Sequence, residues 1–101
     1  MSGAVVIDRA GRRLALRRVG VLETLRLYKA LGPELSLNEA YVGLAIVAAS
    51  VAMVDELPLP FPASEAAVEA LLERLGDDGA AAVAAAVAPV PMADVVTSAG
   101  N

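Results

Sequence analysis

Cysteine, histidine and tryptophan are all missing from this chain of 101 residues. Without cysteine there is no disulfide framework and no thiolate metal site, and the redox compartment leaves no mark on the composition. Without histidine the usual zinc ligands and the commonest general base near neutral pH are missing too. Aromatic residues number only three, Tyr28, Tyr41 and Phe61, although 57% of the chain is apolar. Buried surface must therefore come from many small side chains, chiefly alanine and valine, which let backbones approach closely but stabilise less per residue. Long apolar runs are scarce as well. The N-terminal MSGAVVIDRAGRR has no signal-peptide core, because Asp8 interrupts its apolar stretch. The uncharged run from Ala40 to Val54 is 15 residues, short of the about 20 that cross a bilayer as a helix. Neither a membrane span nor a membrane partner is expected, and the location expected is cytoplasmic.

What charge there is lies unevenly. Residues 1–29 carry Arg9, Arg12, Arg13, Arg17, Arg18, Arg26 and Lys29 against Asp8 and Glu23, a balance of +5, whereas residues 30–101 carry Arg74 against ten acids, −9. Such opposed halves attract each other within a fold or between subunits. Nucleic acid is not the expected partner, since neither interleaved aromatics nor a binding module accompanies the arginines.

The feature that organises the chain is SLNEAYVGLAIVAASVAMV, residues 36–54. Ser36 with Glu39 three residues on has the spacing of a capping box, and a helix over 37–54 follows from it. Before it, AVVID and RLALR flank the Ala10-Gly11 turn, and Leu14 and Leu16 alternate with Arg13, Ala15 and Arg17. That period of two predicts a β-hairpin over 4–18 with Val5, Ile7, Leu14 and Leu16 turned to the core. Leu22, Leu25, Tyr28 and Leu31 predict the apolar stripe of a helix over 20–31, closed by Gly32 and Pro33. After the central helix, Pro58, Pro60 and Pro62 impose an extended path, with Leu57, Leu59 and Phe61 folding back on the core. Ser64 is placed to cap a helix over 64–75 that Gly76 ends, and an alanine-rich helix over 78–88 stops at Pro89. The expected fold is thus mainly α (α+β): an N-terminal β-hairpin followed by about four helices around a central Ala/Val-rich helix. Residues 1–88 form one small domain in this reading, and 89–101 a flexible tail.

No catalytic grouping stands out. The hydroxyls and the single lysine have no histidine partner, and Ser36 and Ser64 are explained as caps. The pairs Asp55-Glu56 and Asp77-Asp78 each adjoin a helix end or turn, where solvated carboxylates are the simpler reading, and Gly76 and Gly79 bracket aspartates that would repel a phosphate. No cofactor, metal or enzymatic activity is expected. Two groups of residues are singled out for contact with other proteins. Gly43, Ala45, Ala48, Ala49, Ala52, Val83 and Val87 form the small-residue faces of the central and last helices, suited to packing beside a partner helix or to self-association. Arg12, Arg13, Arg17 and Arg18 are expected to meet the acidic row Glu65, Glu69 and Glu73.

RLYKALGPELS at 26–36, the alanine-rich helix ending at Asp55, the LPLPFPASEAAVEALLERLGDDG run at 57–79 and the Ala-rich segment after it occur in an order that resembles small tail-module proteins of long-tailed bacteriophages, the tail assembly chaperones. The resemblance implies a mostly helical, non-catalytic viral factor of the host cell cytoplasm. It would bind the tape-measure protein, help recruit tail-tube subunits and be absent from the finished virion. It also implies a frameshifted longer form, with PVPMADVVTSAGN ending the shorter one. Two other classes stay open: a structural tail or neck component retained in the particle, and a small DNA-binding regulatory protein whose basic hairpin touches the duplex.

Overall fold

The computed structural model describes residues 4–87. Strands β1 (Val5–Ile7) and β2 (Arg13–Leu16) come first, then helices α1 (Val21–Leu35) and α2 (Glu39–Ala49), strands β3 (Val51–Val54) and β4 (Leu57–Pro58), and helix α3 (Glu65–Val87). The strands form one antiparallel sheet in the order β1-β2-β3-β4. The described residues therefore make a small α+β fold, with the expected hairpin as half of a larger sheet and three helices in place of four.

The principal correction concerns the central segment. The helix expected over 37–54 stops at Ala49, and Val51–Val54 is a strand. Ser50 ends the helix by turning its hydroxyl back to the Ile46 carbonyl at 2.7 Å. The chain then pairs with β2, Leu14 opposite Val54, Ala15 opposite Met53 and Leu16 opposite Val51. A short apolar run rich in β-branched residues suits a buried strand as well as a buried helix, and local pattern does not separate the two. What decides is that β2 has a second row of backbone N–H and C=O groups, which a helical 51–54 would leave without partners. Ala52 is the extra residue of a bulge in this pairing, so Val51 and Val54 both face the core despite their odd spacing.

Asp55 and Glu56, expected as the end of a helix, are instead the two-residue turn between β3 and β4, both at positive φ (47° and 71°). Two left-handed central residues match the right-handed twist of a tight hairpin. Asp55 Oδ1 also accepts the Arg13 N–H at 2.8 Å, tying the turn to β2. The start of α2 differs too. Asn38 is its cap, accepting the Tyr41 N–H at 3.1 Å, while Ser36 lies at the end of α1 and donates to the Tyr28 carbonyl.

Other local readings hold. Ser64 Oγ accepts the Ala67 N–H at 3.1 Å at the head of α3. Gly32 and Gly76 break α1 and α3 at positive φ, 87° and 67°, with ψ near 180°, a conformation open in practice only to glycine. The break at Gly76 divides α3 into the two helical stretches read from the sequence. Leu59 is buried, Phe61 packs against the core and Leu57 is exposed, so two of the three side chains between the prolines fold back. The flexible tail expected over 89–101 lies outside the described residues.

One face of the sheet carries the core: Leu14, Leu16, Val51 and Val54 meet α2 and α3 across Ala45, Ala48, Ala49, Val68, Leu71, Leu75 and Val83. On β1 it is Val6 that packs inward, whereas Val5 and Ile7 are exposed. The face expected from Val5 and Ile7 is therefore off by one residue, and a shift of one residue exchanges the two faces of a strand. Helix α1 is likewise rotated from expectation. Of the expected stripe Leu31 is buried, but its neighbour in the core is Leu27, with Thr24 beside them satisfied by a 2.7 Å bond to the Gly20 carbonyl, and Leu22, Leu25 and Tyr28 face outward.

Candidate protein-binding site

Helix α2 is apolar on every side, so something must cover each of its faces. The sheet and α3 bury Ala45, Ala48 and Ala49 completely, and Val83 of α3 with them. These four, expected to meet a partner, are core residues. Their small side chains allow α2, α3 and the sheet to close on one another. Ala52 is the bulge residue of β3 and half-buried. Gly43 and Val87 are placed differently. Both line an open groove of about 330 Å³ between α2 and the end of α3, together with Glu39, Ala40, Leu44, Ile46, Val47 and Ala84.

The groove is almost wholly apolar, and among the described residues Glu39 is the one charged residue in its wall. Leu44 is 50% exposed, and a Cβ placed on Gly43 meets no atom within 4 Å. The absent side chain at Gly43 leaves a shallow floor that Leu44 borders, a shape that accepts an apolar side chain from outside. Sequence reading reached Gly43 and Val87 but missed Ala40, Leu44 and Ala84. In a run where every residue is apolar, no local signal tells the exposed side from the buried one.

The electrostatic group is rearranged. Arg12 does reach α3, but its guanidinium donates to the carbonyls of Arg74 (2.9 Å) and Leu75 (2.5 Å), not to the glutamates. Those carbonyls end the first helical stretch at Gly76, where unpaired acceptors and the negative end of the helix dipole attract a cation. The same guanidinium pairs with Asp8 at 2.8 Å. Burial opposes the charge on Asp8, yet the Arg12 backbone N–H, its guanidinium and the Ala10 N–H outweigh it and hold this carboxyl below the usual range. Arg17 donates to the Leu59 carbonyl and lies 5.7 Å above the Phe61 ring, which fixes the proline-rich segment to the sheet. Arg13 and Arg18 are exposed.

Glu65 and Glu73 are exposed, and Glu69 accepts the Tyr41 hydroxyl at 2.9 Å. Burial, then the Glu69 hydrogen bond and the charges of Glu69 and Glu65, push the Tyr41 hydroxyl up to about 12. Among the described residues the one ion pair is Arg12 with Asp8, so the expected meeting of arginines with the acidic row does not occur within the fold. No group of three potential metal ligands occurs among the described residues, and none of their helices is long and apolar enough to cross a membrane. The chain matches no family model, and no similar curated protein or solved structure is found.

Proposed function

We propose that this protein is a non-catalytic factor that binds another polypeptide through the α2–α3 groove. The observation that carries the reading is the groove itself: an open apolar concavity with half-exposed Leu44 on its border. Apolar surface held open in this shape is stabilised when a partner covers it, and a helix laid along it with one apolar row inward is the simplest such partner. The sequence resemblance supplies the identity of that partner in our reading. The chain is a phage tail assembly chaperone, the client is the tape-measure protein, itself a long helical chain, and tail-tube subunits are recruited to the complex in the host cytoplasm.

The DNA-binding alternative has less to work with, because Arg12 and Arg17 are engaged inside the fold. Co-expression with the tape-measure protein tests the proposal. The two should co-elute in size-exclusion chromatography, and Leu44→Glu, at a half-exposed position, should abolish co-elution while the helical circular dichroism is unchanged. Co-elution of the Leu44→Glu variant would remove the groove from the account. Detection of this chain by mass spectrometry in purified particles would replace the chaperone with a structural tail or neck component.

A further inference from the structure

Helix α1 presents a second face that the described residues leave uncovered, remote in chemistry from the groove. Val21 is 82% exposed, Leu22 55% and Leu25 59%, and at helical spacing they form one stripe with Tyr28. Positive charge borders it: Arg18 precedes the helix, and Arg26 and Lys29 lie along it, all exposed. Arg26 and Lys29 also wall a cleft of about 430 Å³ floored by Ala30, Phe61, Pro62 and Ala63. Among the described residues neither cation has an ion-pair partner. An apolar stripe edged by cations and an adjoining cationic cleft are suited to a helix that is apolar in the middle and acidic at its margin.

The chain itself carries such a helix. The first half of α3 exposes Glu65, Glu69 and Glu73 at four-residue intervals, with Ala66 and Ala70 beside them. Small alanines along one side of the carboxylate row leave room for the leucines of α1 to lie against the α3 backbone. Neither surface finds the other within one molecule, since the described residues form no ion pair between them. We propose that the α1 face of one copy docks on the acidic α3 face of a second copy, a head-to-tail contact that leaves one open surface at each end. Because the two surfaces differ, the contact is heterologous and adds copies in a ring or an open chain. The α2–α3 groove takes no part, so self-association is independent of the client.

Sedimentation of the protein alone, over a range of concentration and at low and high salt, tests this. The wild type should associate with concentration and dissociate as salt screens the charges. Arg26→Glu/Lys29→Glu and, separately, Glu65→Lys/Glu73→Lys should each weaken association on the order of tenfold or more. Glu69 is left in place because it holds Tyr41. An equimolar mixture of the two variants should recover association, since the intact α1 of one meets the intact α3 of the other and the two charge-reversed faces are again opposite in sign.

Lys29, the one lysine of the chain, provides a readout without substitution. Zero-length carbodiimide coupling of a mixture of isotopically light and heavy protein should give mixed-isotope cross-links from Lys29 to Glu65 or Glu73. A wild type that stays monomeric at all concentrations, variants that associate like the wild type, or a mixture that gives no dimer would each overturn the proposal. So would α1-dependent binding to vesicles of anionic phospholipid without self-association, which would reassign the basic-edged stripe to a lipid surface.

Discussion

Replacing either of two helical glycines by alanine offers a sharp test of how this fold is packed, because the same chemical change should act with opposite sign. Alanine is favoured over glycine in a helix interior by about 1 kcal/mol. At Gly43 the added methyl group meets nothing within 4 Å, so Gly43→Ala should gain most of that, about 0.5–1 kcal/mol. At Gly79 the new Cβ falls 2.9 Å from Arg12 Nη2 and 3.1 Å from Leu75 Cβ. The guanidinium is not free to swing aside, since it is bonded to Asp8 and to the carbonyls of Arg74 and Leu75.

Displacing it from one carbonyl forfeits a charge-assisted hydrogen bond, about 1.5–3 kcal/mol. Set against the helix gain, Gly79→Ala should cost about 0.5–2 kcal/mol net. For a chain of this size 1 kcal/mol moves the midpoint by about 4–8 °C, so thermal unfolding followed by circular dichroism resolves both variants. In an Arg12→Ala background the shorter contact is gone and the 3.1 Å approach to Leu75 Cβ remains, so the cost of Gly79→Ala should fall by the Arg12 share, a coupling that a double-mutant cycle isolates. A Gly79→Ala protein as stable as Gly43→Ala, or a cost of the same size with and without Arg12, would refute the close approach of the hairpin arginine to α3.

Three further outcomes follow from the turn and the titrating groups. Glu56 holds φ at 71° without being glycine, a conformation that costs a side-chain-bearing residue about 1–2 kcal/mol, so Glu56→Gly should raise the urea midpoint, and a lowered midpoint would contradict the turn geometry. Asp8 titrates below its unfolded value of 3.8, so its ionised form stabilises the fold above that pH and the contribution is lost as pH falls through the lower folded value; Asp8→Asn should remove this dependence. Tyr41 titrates at about 12 against an unfolded 10.0, so its contribution is complete below pH 10 and lost as pH rises from there to 12; Tyr41→Phe should flatten that limb of the stability profile.

Local signals carried a good part of the architecture. Alternation around Ala10-Gly11 announced the hairpin, Ser64 marked the head of α3, Gly32 and Gly76 marked breaks, and the prolines dictated an extended crossing. Each rests on the conformational preference of a residue or on a bond to a near neighbour, and such preferences travel with the chain. The fate of Val51–Val54 does not, because a Val-rich run serves equally as helix or strand until β2 offers a row of unpaired backbone groups.

The same distinction runs through the candidate surfaces. Small residues in α2 signalled close packing, but whether Ala48 or Gly43 faces out depends on where the sheet and α3 come to rest. On α1 both Leu25–Tyr28 and Leu27–Leu31 are acceptable apolar stripes, and the turn at Gly20 together with the position of α2 selects the second for the core. The charge asymmetry was plain in the composition, yet which arginines would be held inside the fold was not. A guanidinium goes to the strongest acceptor within reach, and only the tertiary structure brings the carbonyls before Gly76 to Arg12 and leaves Arg26 and Lys29 without an ion-pair partner among the described residues.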